Sequence, residues 1–269
     1  VTRYTCSRCG DSYDEENIDA LGHSYAKTII GPTCTTQGYT AYVCTVCGEE
    51  EHRDKMPALG HQYKSQLTKA TTAKDGQTYK KCSVCGAVTG KTVIAKVSNI
   101  KLNKTAYTYN GKVQRPGVTV KDSKGKTLKN GTDYTVSYSS GCKNVGRYTV
   151  KVTLEGNYSG SKSMTYNINP KGTSVSKVKA AKKGFKVTWK KQATQTTGYQ
   201  VQYSTSSKFK KAKTVTISKN KTTSKSVSKL SAKKKYYVRV RTYKTVKVNG
   251  KNVKLYSGWS KAKSVTTKK

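Results

Sequence analysis

Phenylalanine and methionine each occur only twice in the 269 residues, histidine three times and proline four times. So few phenylalanines and methionines, beside abundant tyrosine, threonine and valine, argue for an almost entirely β protein. No apolar run approaches the roughly 20 residues that a membrane-spanning helix needs, and no charged-then-apolar leader is read at the start. Acids are scarce as well, 13 against 53 lysines and arginines, and none follows Glu155. A hydrolase needs a positioned carboxylate pair or a nucleophile with its base. Residues 96–269 offer Asp122, Asp133 and Glu155 and no histidine, so the chain is not read as an enzyme.

What is present is unevenly spread. Residues 1–95 carry 11 basic and 10 acidic residues, whereas residues 171–269 carry 29 basic and no acidic ones. Such a field repels copies of itself, which favours a monomer, and attracts polyanions. Only Arg239 and Arg241 among those 29 are arginine; the rest are lysines, strongly hydrated point charges suited to diffuse attraction. Tyrosine, threonine and valine in alternating patterns predict a mainly β protein of two or three domains.

The front third is organised by an interval of 38 residues. Cys6, Cys44 and Cys82 obey it, as do Cys9, Cys47 and Cys85, the pair His23 and His61, the pair Gly38 and Gly76, and the tetrapeptides Ala20-Leu21-Gly22-His23 and Ala58-Leu59-Gly60-His61. Exact self-matching at a fixed period marks tandem modules. Each copy reads as turn, strand, turn, strand, its second turn a Cys-x-x-Cys-Gly knuckle. A unit of about 40 residues cannot bury enough apolar surface to hold itself together and needs a metal or crosslinks. Since the chain begins at Val1, in mid-repeat, a longer parent is expected.

Two thiolates two residues apart can face one cation, and a tetrahedral zinc site takes four Cys or His ligands. Two registers supply a full set: His23, Cys34, Cys44 and Cys47, or Cys34, Cys44, Cys47 and His61. The first is preferred because it leaves His61 for Cys82 and Cys85; in the second, Asn99 stands where that knuckle needs histidine. Either way the third copy is read as incomplete, with Thr72 in the place of Cys34. Cys6 and Cys9 would take partners from upstream or share His23. Disulfides within each knuckle and free thiols are the competing readings, although a bridge across two residues constrains little. His52 lies outside the register and reads as a solvated strand residue.

The patterns GH-x-Y, PTCT-x-x-GY, C-x-VCG and PALGH resemble the zinc-ribbon-like Cys/His repeats found in tandem in large secreted or wall-associated proteins of clostridia and related Gram-positive bacteria. Residues 96–170, with the turns Asn110-Gly111 and Asn130-Gly131 and the alternating runs around Tyr134, Tyr148 and Tyr166, predict a β-sandwich; the segment DYTVSYSSGCKNVGRYTVKVTLEGNYSGSKSMTYNI resembles bacterial immunoglobulin-like modules. Cys142, alone and without a histidine in its domain, reads as incidental. Residues 171–269, with Trp189, the GYQVQYS strand, and Leu230 six residues ahead of Tyr236, resemble a fibronectin type III domain. In that family the tryptophan fills the core and the tyrosine ties the late strand's corner to the leucine. Lys247, Lys251 and Lys254 of a protruding hairpin are expected to share a basic face with Arg239 and Arg241.

The expected plan is therefore residues 1–95 as metal-stapled β-hairpin repeats, followed by two β-sandwiches over 96–170 and 171–269. The expected role is a non-catalytic stalk or attachment region of a bacterial surface or secreted protein. Its partners would be anionic wall polymers, with adhesion to a host glycan or protein as the alternative. Nucleic acid is the weaker reading, because no stacking platform of aromatics is evident, and membrane insertion is not expected.

Overall fold

The computed structural model describes residues 1–16 and 22–269; Ala20 and Leu21 of the repeated tetrapeptide lie outside them. Every regular element among the described residues is a β-strand, and none forms a helix able to cross a membrane. The chain divides into two compact units, Val1–Gln66 with Thr78–Thr92, and Leu67–Gln77 with Val93–Lys269.

The repeat period appears directly as strand position. The first copy contributes β1 (Thr2–Thr5) and β2 (Ser12–Glu15). The second forms β3 (Tyr25–Ile30), β4 (Gly38–Cys44) and β5 (Glu50–Met56) in that order across an antiparallel sheet. The third forms β6 (Tyr63–Thr68), β7 (Gly76–Cys82) and β8 (Val88–Ile94), in the same order and each shifted by 38 residues. A full copy thus has three strands rather than the two expected. The strand that opens each copy carries no alternation, because β6 is exposed throughout and β3 nearly so, and without a buried face there is no period to read.

Almost nothing apolar is buried in the repeat unit. Among its described residues, the buried apolar side chains are Ala41, Cys34, Cys44 and Cys82, while Ile29 is 74% exposed. Burial of a leucine-sized side chain contributes about 1.5–3 kcal/mol, and here no such side chain is buried. Where another fold would place leucine, this one places sulfur. Within each sheet the turn is drawn hard against the next strand: a Cβ on Gly38 would lie 2.5 Å from the Pro32 nitrogen, and one on Gly76 2.3 Å from the Thr68 carbonyl oxygen. Only glycine permits that approach.

The first sandwich contains β9 (Val97–Leu102), β10 (Ala106–Thr108), β11 (Val118–Asp122), β12 (Tyr134–Tyr138), β13 (Gly146–Leu154) and β14 (Ser161–Asn169). One sheet runs β10-β14-β13-β12, with β10 parallel to β14, and the other pairs β11 with β9. Its core joins Val97, Ile100, Val120, Leu128, Val152 and Leu154, and includes Ala70 from the turn of the third repeat. That turn is sewn in by backbone: the Ala70 amide donates to the Asn157 carbonyl at 3.0 Å, the Ser159 amide to Ala70 at 2.9 Å, and the Val97 amide to Thr71 at 2.9 Å. Cys142 is buried beside Val150, Tyr166 and Ile168, its thiol 3.0 Å from the Ser139 carbonyl oxygen.

The second sandwich has β15 (Val175–Ala181), β16 (Gly184–Trp189) and β19 (Ser224–Val227) in one sheet. The other holds β17 (Gly198–Ser204), β18 (Lys213–Ile217), β20 (Lys235–Val248), β21 (Lys251–Tyr256) and β22 (Lys263–Thr266), in the order β18-β17-β20-β21 with β22 also on β20. A bulge between Val175 and Lys177 shifts the register, so Val175 and Val178, three apart, both reach the core around Phe185, Val187 and Trp189. Tyr236 contributes its ring, packed near Phe185 and Tyr203. The phenol that ties loops together is instead that of Tyr199, which accepts from the Gln192 amide at 2.9 Å and lies 2.9 Å from the Asn220 carbonyl oxygen. Tyr199→Phe leaves those buried backbone groups without a partner, so a loss of about 1–3 kcal/mol is expected. Urea unfolding followed by the fluorescence of Trp189, whose ring centroid lies 5.3 Å from that of Tyr199, measures it.

Candidate metal centre

Each knuckle closes by backbone alone. The Cys44 amide donates to the Glu49 carbonyl at 2.8 Å and the Gly48 amide returns to Cys44 at 2.9 Å; Cys82, Ala87 and Gly86 repeat the pattern at 2.8 and 3.1 Å. Gly48 and Gly86 sit at φ 77° and 79°, a left-handed turn that glycine adopts without strain. The knuckle amides point at the first sulfur. Those of Cys47 and then Val46 hold the Cys44 thiol down to about 6, with His23 adding to the effect. The Cys85 amide does the same for Cys82, with smaller help from Val84 and His61, to about 5. Both knuckles therefore present a ready thiolate, the form that ligates metals.

Histidine arrives from the start of the same copy. Tyr25 pairs with Cys44 in the β3–β4 register, and the Thr45 amide donates to the Ser24 carbonyl at 2.8 Å. His23 is thereby set with Nδ1 3.3 Å from Cys47 Sγ and Nε2 3.2 Å from Glu49. In the third copy Ser83 donates to Gln62 at 2.9 Å, and His61 Nδ1 lies 3.3 Å from Cys85 Sγ. A carboxylate behind the far nitrogen fixes an imidazole for ligation through the near one. Glu49 does this for His23; Ala87 holds the equivalent position behind His61.

Cys34 decides which set is complete. It stands on the turn before β4, at the opposite end of that strand from Cys44, and seven strand residues span about 20 Å. It cannot join His23, Cys44 and Cys47, so the preferred register is corrected, and the alternative that put Cys34 and His61 with Cys44 and Cys47 fails for the same reason. What brings Cys34 to the next copy is the junction peptide: the Leu59 amide donates to the Thr33 carbonyl at 2.9 Å, setting His61 beside the turn. The result is one group of Cys34, His61, Cys82 and Cys85 and a second of His23, Cys44 and Cys47, the ligand atoms of each lying within 4.8 Å of one another. The third knuckle, read as incomplete, has four ligands, and the second has three. Among the described residues Cys6 and Cys9 join no group of three or more.

The four-residue group has tetrahedral dimensions. With metal–sulfur bonds of about 2.3 Å and metal–nitrogen bonds of about 2.0–2.1 Å, tetrahedral edges come to about 3.8 Å between sulfurs and about 3.5 Å between sulfur and nitrogen. The Cys34 and Cys82 sulfurs are 3.8 Å apart, close to twice the length of a disulfide bond of about 2.05 Å, and all eight cysteines are free. Burial, with the neighbouring Cys85 and Cys82 sulfurs, pushes the Cys34 thiol up to about 11, so ligation through it releases a proton. His52 lies outside both groups, exposed on β5, stacked on Tyr39 at 3.8 Å and 2.8 Å from Glu50.

Thr72 now has a physical context. The third copy repeats the turn, with Thr71 Oγ1 accepting from the Ala73 and Lys74 amides as Thr33 Oγ1 does from Thr35 and Thr36. That turn docks on the first sandwich, and the position of Cys34 is filled by a residue that asks for no metal.

The whole is a modular, all-β chain of small Cys/His repeats and sandwich domains. Residues 168–255 match the fibronectin type III domain family, a module typical of multidomain extracellular proteins and typically structural rather than catalytic. Among solved structures, the chicken CNTN1 FN1-FN3 domains are 13% identical with a TM-score of 0.33, the match covering 92% of this chain and 100% of that one. Domains A168-A170 of titin are 15% identical with a TM-score of 0.27, covering 93% and 100%. No curated protein matches the chain.

Proposed function

We propose that this chain is the non-catalytic spacing and tethering region of a bacterial surface or secreted protein, its repeats joined by structural zinc and its cationic end held to anionic polymer of the cell wall. The observation that carries the reading is the ligand set Cys34, His61, Cys82 and Cys85. Cys34 belongs to one repeat and the knuckle to the next, so a metal there crosslinks neighbours instead of stapling one copy internally. Three thiolates and one imidazole are a zinc donor set. Such a crosslink resists bending at its junction where a loop alone would not, which is the property a spacer needs. Small-angle scattering of the zinc-loaded chain, before and after chelation, tests this. An increase in radius of gyration and a broadened distance distribution on chelation are expected; identical profiles would remove the mechanical role of the metal.

A further inference from the structure

The outer face of the second sandwich carries a row of groups that neither the repeats nor the core accounts for. The Arg239 guanidinium lies 3.8 Å from the Phe209 ring centroid and 4.8 Å from that of Trp259; Arg241 lies 4.2 Å from Trp259 and 3.9 Å from Tyr256. Each guanidinium is also locked in plane from one side. Arg239 Nε and Nη2 both donate to Gln202 Oε1, at 2.8 and 2.5 Å, and Arg241 makes the same pair with Gln200 Oε1 at 3.0 and 2.7 Å. Gln200 and Gln202 are themselves held by Thr216 and Thr214, each at 3.1 Å.

This arrangement is built but not neutralised. The two guanidiniums are half-buried, and burial lowers the pKa of both, with Arg239 adding to the effect at Arg241. Residues 171–269 hold no aspartate or glutamate to pair with them. Their Nη1 edges have no hydrogen-bond partner among the described residues. Strand register sets Lys247 and Lys254 on the same face, since Thr245 pairs with Lys254 and Lys247 with Asn252, and sends Lys251 to the opposite one. The basic face expected from sequence thus loses Lys251 and gains three aromatic rings.

We propose that this row is a binding site for a linear, base-free phosphodiester or polyphosphate chain. Arg239 and Arg241, two apart on one strand, are about 7 Å apart along it, so each meets its own phosphate with a fixed pair of donors, a geometry suited to phosphate oxygens. The lysines supply the surrounding field. Nucleic acid fits less well, because the rings are spent on guanidiniums and Trp259 is shared by two of them, which leaves no platform for bases. The site rests on the tethering half of the proposed function and is independent of the metal.

Binding of the full zinc-loaded chain to long-chain inorganic polyphosphate and to poly(glycerol phosphate), at fixed salt near 0.15 M, tests it against R239Q/R241Q and a charge-matched pair, K177Q/K179Q, on β15. Loss of both guanidiniums is expected to weaken binding by about tenfold or more, and the control pair by less than about threefold, since only the former removes fixed donors. R239K/R241K, which keeps the charge and loses the planar fork, is expected to fall between them and serves if the glutamine variant melts early. Tighter binding to the inorganic polymer than to poly(glycerol phosphate) would mark free polyphosphate as the source, and the reverse order the wall polymer. Equal losses from the two pairs would overturn the site while leaving electrostatic attachment intact. No binding to either polymer would remove the attachment reading as well, and tighter binding to oligo(dT) would overturn the ligand class.

Discussion

Replacing Cys82 with serine is expected to abolish tight metal binding at the proposed four-ligand site, replacing Cys34 to do the same, and replacing Cys44 to leave that site in place. The expectation follows from which ligands meet. Cys34 and Cys82 approach to 3.8 Å, whereas Cys44 belongs to the three-residue group with His23 and Cys47. Loss of an outer-shell partner already costs a metal site about 10–100-fold in affinity, so loss of a ligating thiolate is expected to exceed that. Cobalt substitution reads the result, because a site with three thiolates gives a more intense charge-transfer band than one with two. Competition with a chelator of known affinity then separates tight from weak sites. A tight site that survives C82S but disappears in both C34S and C44S would restore the register in which one copy binds its own metal.

Chelation itself should have the larger structural effect, and only on one part of the molecule. Structural zinc contributes about 10–16 kcal/mol of apparent free energy to domains of this size at neutral pH, and the repeats have little else. Their buried apolar side chains are three cysteines and Ala41, and without metal the thiolates at Cys44 and at Cys82, each in its own group, become uncompensated negative charges in a small interior. The second sandwich, by contrast, closes a core of Phe185, Trp189, Tyr199, Val201, Val238 and Val240 with no metal ligand in it. Hydrogen exchange after removal of zinc is therefore expected to show loss of protection across residues 22–66 and 78–92, with residues 97–269 unchanged. The turn bearing Ala70 should stay protected, since its amide bonds go to Asn157 and Ser159 of the first sandwich. Full protection of the repeats in verified metal-free protein would mean that burial, not ligation, holds them.

Much of the architecture is legible in the sequence. The 38-residue interval places β6, β7 and β8 at fixed offsets from β3, β4 and β5, and the alternating valines and tyrosines mark the sandwich strands correctly. Three features were not legible, each for its own reason. β3 and β6 are exposed on both faces and leave no hydrophobic period. Phe209 and Trp259 lie 50 residues apart and meet only because Arg239 and Arg241 on β20 stand between the segments that carry them, so no local pattern announces the row. The role of Tyr199 depends on loops at Gln192 and Asn220 converging on one hydroxyl. The grouping of ligands was different, since a signal existed. The strand from Gly38 to Cys44 is seven residues long, and a rise of about 3.3 Å per residue places Cys34 and Cys44 at opposite ends.

By itself the sequence determined the kinds of parts: a repeated unit too poor in apolar side chains to fold by burial, and two segments with enough alternating valine, tyrosine and tryptophan to form sandwiches. It also supplied the candidate ligand types, cysteine and histidine at a fixed period, which the sequence alone leaves open to zinc, disulfides or free thiols. Tertiary structure alone decided the partnerships. A ligand set is a matter of which chain segments converge, and convergence here is set by strand length and by the hydrogen bond from Leu59 to Thr33, which places the four-residue group across a junction while the three-residue group stays within a copy.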